Sequence, residues 1–209
     1  MAGTTDCLIS VFAKAPDAGQ VKSRLIPLLG AAGAAKFHED CVMRTLETAR
    51  ASEAGAVELC CAPDTDHAFF VRCAESFDVA LAPQGCGDLG ARMQRALARG
   101  LARHAKTIII GCDCPALTVG DLSDAAHALD TVDAVFSPAE DGGYVLVGGR
   151  KEDARIFENV TWGNERVMEK TRNNLTALGW KWRELAMRWD VDRPEDYLRL
   201  GKSGLMEVV

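Results

Sequence analysis

Short apolar runs rich in β-branched residues alternate with amphipathic stretches along almost the whole chain, and this alternation constrains the fold more than any other feature. Cys7–Ala13 (CLISVFA), Val57–Ala62, Val79–Ala82 and Thr107–Cys112 (TIIIGC) lack the polar alternation of a half-solvated strand, as expected where a parallel sheet is covered on both faces. Between them the spacing predicts helices. One spans Ala31–Glu53, with Phe37, Cys41, Leu46 and Ala49 inward, and a second spans Asp66–Ser76. A third is capped by Asp88 and carries Leu89, Met93, Leu97 and Leu101 on one face. Further on, the pattern predicts a helix over Asp121–Leu129 and strands Ala134–Ser137 and Tyr144–Gly148 around an Asp-Gly-Gly turn. A last predicted helix is capped by Asn164, with Val167, Thr171, Leu175 and Leu178 inward.

Strand and helix segments of these lengths imply βαβ units with right-handed crossovers. The predicted fold is therefore α/β, a three-layer doubly wound sandwich with a mostly parallel sheet. No Pro-, Gly- or Ser-rich linker and no internal repeat divides it, so residues 1–200 are expected to form a single domain and 201–209 (GKSGLMEVV) a loose tail.

Charge narrows the partners. Thirty acidic against 24 basic residues leave a net charge of −6, which repels a phosphate backbone at long range, so nucleic acid is not an expected partner. The longest uncharged stretch, Leu25–Ala35, is far shorter than the roughly 18 to 20 residues a bilayer requires, so no membrane span is expected. Met1–Asp6 has no basic n-region and Lys14 interrupts the apolar run after it, which points to a cytoplasmic protein. The eight cysteines include an adjacent pair, Cys60 and Cys61, and read as reduced core residues. The C-x-C of Cys112 and Cys114 has no C-x-x-C beside it, and His38, His67, His104 and His127 are scattered, so no zinc set is expected.

In a doubly wound sheet, ligands bind beyond the carboxyl ends of the strands, where strand order reverses. Four segments stand out there, and a weaker fifth follows them. Ala13 to Leu25 (AKAPDAGQVKSRL) follows the first strand and concentrates Lys14, Lys22 and Arg24 in an acidic chain; with Gly19 allowing close backbone approach, it suits a di- or triphosphate, or else is a solvated basic loop. Asp113, after the most apolar strand, either caps a turn or holds a cation. Asp190-Val191-Asp192 sets two carboxylates on one side of an extended chain, as Mg²⁺ or Mn²⁺ ligation needs, unless Asp192 caps the helix that opens at Arg193-Pro194. Asp141-Gly142-Gly143-Tyr144 is a hairpin turn whose glycines also bare backbone N–H groups to a ligand. Gln84, in the loop Pro83 to Gly90, offers the paired donor and acceptor that a nucleobase edge requires.

Together, Phe12 to Pro16, Gly19 to Leu25, Gly111 to Pro115, Asp141 to Tyr144 and Asp190 to Asp196 resemble, in order, the motifs of the DUF2064 proteins, regarded as glycosyltransferases of the GT-A, nucleotide-diphospho-sugar transferase fold. The resemblance runs from about Leu8 to Leu200. The Lys22-Ser23-Arg24-Leu25 stretch is also similar to the phosphate loop of the phospholactate and phosphoenolpyruvate guanylyltransferases. This chain departs at Asp17-Ala18, where a proline commonly precedes the glycine, at Ser23 and Arg193, where threonine is usual, and at Val145, where a second aromatic is common.

The resemblance implies roles. Ala13, Lys14, Gly19, Lys22, Arg24, Gln84, Asp88 and Leu89 would bind nucleotide, Asp113, Asp190 and Asp192 would hold Mg²⁺ or Mn²⁺, and Asp141, Gly142, Gly143 and Tyr144 would face the acceptor. Lys22, Arg24 and Asp141 would be catalytic. The implied partners are a nucleotide sugar or nucleoside triphosphate and a small acceptor. Glycosyl transfer would release a nucleoside diphosphate and nucleotidyl transfer pyrophosphate; a module that binds nucleotide without turnover is the third reading. Trp162, Trp180, Trp182 and Trp189 serve core packing first, with an acceptor platform or a homodimer contact as alternatives.

Overall fold

The computed structural model describes residues 6–206. In chain order the elements are β1 (Cys7–Lys14), α1 (Ile26–Ala51), β2 (Ala56–Ala62), α2 (Ala68–Phe77), β3 (Ala80–Pro83), α3 (Leu89–Leu101), β4 (Lys106–Gly111), α4 (Val119–Ala128), β5 (Ala134–Pro138), β6 (Tyr144–Gly149), α5 (Val167–Ala177), β7 (Trp182–Glu184) and α6 (Pro194–Ser203). Among the described residues the strands form a seven-stranded sheet ordered β3-β2-β1-β4-β6-β5-β7. β1 pairs in parallel with both β2 and β4, β2 with β3, and β5 with β7. β6 alone runs antiparallel, to β4 on one side and β5 on the other. The predicted three-layer, mostly parallel α/β sandwich is what forms.

Period-two alternation sorts each strand's side chains between two cores. Ile9, Val11 and Ala13 of β1 and Ile108 and Ile110 of β4 pack under α1, α2 and α4, against Val42, Leu46, Phe70, Leu122 and Ala125. Phe12, Cys60, Ile109, Phe136 and Val147 face the other way, against Met93 and Leu97 of α3 and Met168 and Leu175 of α5. A third cluster seats Val191 and α6, through Tyr197 and Leu200, on Leu25 just before α1 and on Phe37 and Cys41 in its middle. Tyr197 meets Phe37 edge to face at 5.1 Å. This contact brings the C-terminal segment back beside the loop after β1. Trp162, Trp180 and Trp182 pack against the second cluster and Trp189 against the third, where the Arg199 guanidinium lies 4.2 Å from its ring centre.

Several boundaries differ from the sequence reading, each for a local reason. α1 begins at Ile26, not Ala31, because Pro27 in its first turn presets the backbone and Gly30 absorbs a kink. α2 opens at Ala68, two residues later than Asp66, because His67 is its cap. α4 opens at Val119 because Thr118 caps it, with Asp121 completing a capping box. Asn164 does not cap α5; its side chain accepts from Arg166 N–H in the preceding turn, and the helix starts at Val167. Asp192 does not cap α6, since Arg193 holds that position and Asp196 accepts from the N–H groups of Asp192 and Arg193. α6 continues to Ser203, so the first residues assigned to the tail are helical, and 207–209 lie outside the described residues. β7 carries no apolar pattern in the sequence: Trp182–Glu184 is short and charged and, among the described residues, pairs with the edge of β5.

One carboxylate is deeply embedded. Glu58 on β2 is 5% exposed, accepts from Ser10 at 2.8 Å and pairs with Arg99 at 2.6 Å and Arg103 at 3.3 Å. Burial pushes its carboxyl up, but Arg99 and Ser10 more than offset that and hold it below the ordinary value. A depressed carboxyl adds stability that is present above the unfolded value, near pH 4.3, and is lost as pH falls through the folded one. We expect Glu58→Ala to destabilise the protein by about 3 kcal/mol at pH 7 in urea unfolding, because Arg99 is left unpaired. The gap from the parent should shrink as pH falls below about 4.

Candidate active site

A cleft of about 550 Å³ opens at the carboxyl ends of β1 and β4, the two adjacent strands from which the chain winds in opposite directions. Ala13, Lys14, Lys22, Arg24, Gln84, Leu89, Asp113, Tyr144, Asp190 and Asp192 line it. The structure thus gathers residues from all five sequence motifs around one opening. Gly19, Asp88, Asp141, Gly142 and Gly143 are not among the lining residues.

The loop after β1 is shaped locally. Gln20 N–H bonds to Asp17 O at 2.9 Å, and Gly19, at φ 86°, takes the third position of that turn, where an L side chain is strained. The loop then turns at Lys22, a non-glycine in the left-handed region at φ 47°. Such a backbone costs roughly 1 to 2 kcal/mol and persists only if its surroundings hold it. Here the side chain does so. Lys22 Nζ, 3% exposed, donates to Val191 O at 2.6 Å, Asp113 Oδ1 at 2.6 Å and Asp192 Oδ1 at 3.1 Å, matching its three protons to three acceptors. Burial alone would lower the ammonium's pKa; Asp113 and Asp192 outweigh it and raise it. Lys22, which the sequence assigns to the phosphate loop, lines the cleft and also ties the first loop to the two aspartate segments. The exposed cations on the cleft are Lys14 and Arg24, the latter 63% exposed and 3.6 Å from Asp192.

Asp113 follows β4 with its side chain half exposed, and burial raises its carboxyl less than Lys22, His38 and Lys14 lower it. Asp190 is delivered by a different route. Residues 185–190 run beside the end of β5, where Arg188 N–H donates to Pro138 O and Glu140 N–H to Arg188 O. The Arg188 side chain makes two hydrogen bonds to Asp121, at 2.6 and 3.0 Å, and Val191 N–H reaches Asp113 O at 2.8 Å. Burial, then Asp141, Asp192 and Asp113, push the Asp190 carboxyl up to about 6. Four carboxylates therefore share a region in which Lys22 is the buried cation, and Asp190 carries the excess repulsion. Asp113, Asp190 and Asp192 line the cleft as hard oxygen donors of the kind Mg²⁺ or Mn²⁺ takes, but their oxygens do not form a group within 4.8 Å of one another; among the described residues that spacing is met by His38, Cys112 and Asp113.

Other expected residues have structural partners. Gln84, 5% exposed, donates its amide protons to Ala13 O at 3.0 Å and Cys60 O at 2.9 Å, so its carbonyl oxygen is what remains for a ligand. Asp88 caps α3 through Ala91 N–H at 2.9 Å. Asp141 accepts from Gly143 N–H at 2.9 Å. A Cβ on Gly142 would lie 2.1 Å from Glu165 O, so the β5–β6 turn requires glycine to pack against the segment before α5. Two lining residues escaped the sequence reading. His38 projects from the middle of α1, and its only signal was a position on that helix's inward face; Arg92 lies one turn into α3.

No curated protein matches the chain. A family model described as an uncharacterized protein conserved in bacteria (DUF2064) matches residues 45–164. A crystal structure from Desulfovibrio desulfuricans G20, described as a "putative nucleotide-diphospho-sugar transferase", is 26% identical with a TM-score of 0.88, covering 96% of this chain and 88% of that one. A 4-diphosphocytidyl-2C-methyl-D-erythritol synthase from Anaerococcus prevotii DSM 20548 shares the fold at 10% identity, TM-score 0.62, covering 95% and 98%. So does Rv0371c from Mycobacterium tuberculosis H37Rv, solved as a complex with manganese, at 20% identity, TM-score 0.52, covering 95% and 100%.

Asp190→Asn removes one of the crowded charges. In the metal-free protein at pH 7.5 it should raise the unfolding midpoint by about 2 to 4 °C, the equivalent of about 1 kcal/mol for a chain of this size. The gain fades as pH falls below about 6, where Asp190 already holds a proton. The same variant should lose the stabilisation that added Mn²⁺ gives the parent; an undiminished Mn²⁺ response would exclude Asp190 from the metal set.

Proposed function

Because this chain belongs to the DUF2064 family, we propose that it is a metal-dependent transferase that moves a glycosyl group from a nucleotide sugar to a small acceptor, with the cleft between β1 and β4 as its active site. The observation that carries this reading is the meeting of Asp113, Asp190 and Asp192, with unbalanced negative charge, beside the exposed Arg24 and Lys14 at the strand-order reversal. The likeness to the Desulfovibrio protein, over nearly the whole of both chains, supports the same class.

Asp113, Asp190 and Asp192 would hold Mg²⁺ or Mn²⁺, which supplies charge neutralisation at the diphosphate of the leaving group. Arg24 and Lys14 bind the phosphate oxygens, Arg24 by its planar fork. Gln84 Oε1 accepts from the base, while its amide keeps β1 and β2 in register below it. Lys22 orients Asp113 and Asp192 rather than the donor. Tyr144 lines the side of the cleft where the β5–β6 turn ends; Asp141, on that turn beyond the lining residues but close enough for its charge to act on Asp190, is the base of this proposal and would accept the proton of an acceptor hydroxyl brought up to the turn.

A second reading, nucleotidyl transfer with release of pyrophosphate, is favoured by the cations Lys14 and Arg24 facing a cleft large enough for a triphosphate. Phosphorus NMR of the protein with Mn²⁺, a panel of nucleotide sugars and nucleoside triphosphates, and a mixed acceptor pool separates the two. Nucleoside diphosphate is expected; pyrophosphate would transfer the assignment to the second reading, and neither product, with binding retained, would leave a non-catalytic module. Arg24→Ala should weaken nucleotide binding about tenfold, a loss of about 1.4 kcal/mol, by isothermal calorimetry. Unchanged affinity would remove Arg24 from the phosphate site.

A further inference from the structure

We propose that His38, Cys112 and Asp113 form a second cation site, selective for zinc, on the α1 side of the cleft. It does not depend on the transferase reading and shares only Asp113 with the carboxylate set described above. A ring nitrogen of His38, Cys112 Sγ and a carboxylate oxygen of Asp113 all lie within 4.8 Å of one another. Asp113 Oδ1 is 3.9 Å from His38 Nδ1 and 3.9 Å from Cys112 Sγ. Tetrahedral zinc, with bonds of about 2.0 to 2.3 Å, sets its ligand atoms roughly 3.3 to 3.6 Å apart, so the two edges to Asp113 need contract by a few tenths of an ångström and the His38–Cys112 edge, within 4.8 Å, by about 1.5 Å at most.

The histidine is arranged for ligation. Its Nε2 lies 3.1 Å from Lys14 O, a carbonyl that can only accept, so that nitrogen carries the hydrogen and Nδ1 presents its lone pair. A ring N–H donated to a backbone carbonyl is the arrangement that orients metal-bound histidines. Nδ1 itself is buried without a hydrogen-bond partner, in a side chain 5% exposed. An unmatched buried acceptor is costly, and a cation at the centre of this triangle would satisfy it.

Donor chemistry selects the ion. Thiolate and imidazole suit zinc, whereas Mg²⁺ and Mn²⁺ prefer oxygen throughout, so the three-oxygen and the N, S, O sets of this cleft attract different cations. On zinc binding the Cys112 S–H bond breaks, its proton leaves to solvent and a zinc–sulfur bond forms. The thiolate and Asp113 then balance the two positive charges, while Lys22 keeps Asp192 and Val191 O as partners. The fourth position faces the cleft, which both Cys112 and Asp113 line. Because Asp113 belongs to both sets, zinc and Mn²⁺ weaken each other's binding.

Cobalt(II) reports such a site through its thiolate-to-metal charge-transfer absorption. Titration of the reduced wild-type protein should develop this band to one equivalent, and one equivalent of zinc should abolish it. Cys112→Ser should remove the band, and His38→Gln should weaken cobalt and zinc at least tenfold. Asp190→Asn should keep the band, which separates failure of this site from failure of the carboxylate set. Zinc-edge X-ray absorption of the unsubstituted protein provides a check that requires no variant, with one sulfur ligand expected. Absence of the cobalt band, its survival in Cys112→Ser, or zero or two sulfurs at zinc would each overturn the proposal.

Discussion

Lys22 is an ammonium with almost no contact with water whose three protons are matched to a carboxylate after β4, a carboxylate near the C-terminal helix and a backbone carbonyl between them. Three segments distant in sequence meet on it. A buried charge of this kind is tolerated only with its partners in place, so the loop after β1, the end of β4 and residues 190–192 hold their positions together. The left-handed backbone at Lys22 follows from the same tie, since the chain must turn sharply to aim the side chain inward. The cleft's shape is thus a consequence of electrostatic pairing as much as of core packing.

That pairing is incomplete by design of the residues around it. One lysine faces Asp113 and Asp192, while Asp190 stands next to both of them and Asp141, and its raised carboxyl records the imbalance. Protonation or a divalent cation relieves it. Immediately behind, His38 and Cys112 add donors of a softer kind to the same aspartate. The end of β4 is therefore a crossing point between hard and soft ligand sets, and Asp113 belongs to each.

Much of this was legible in the chain. Buried strands betray themselves by mainly apolar runs, interrupted here only by Ser10 in β1 and Glu58 in β2, so β1, β2 and β4 lie within a residue or so of where the pattern puts them, and Asp88 caps α3 as its position before a four-residue periodicity implies. Placing the ligand segments after strands sufficed to bring Lys14, Arg24, Gln84, Asp113, Asp190 and Asp192 to one cleft. What could not be read depended on tertiary geometry. Spacing does not tell whether a lysine in a basic loop points at solvent or at aspartates far along the chain, and Lys22 does the latter. The histidines looked scattered because periodicity places His38 on the inner face of α1 without saying that Cys112 lies opposite. β7 has no apolar run to announce it and exists because β5 offers an open edge.

The direction of β6 has a further implication. Because it reverses between parallel neighbours, the hairpin tip before it is carried to the same rim as the carboxyl ends of β1 and β4, without a crossover helix. The first half of the sheet and this hairpin thus border the opening from separate supports. Insertions at the tip can reshape one wall while the β1 to β4 scaffold stays as it is, so relatives on this architecture have a route to new second substrates that leaves their handling of the first one intact.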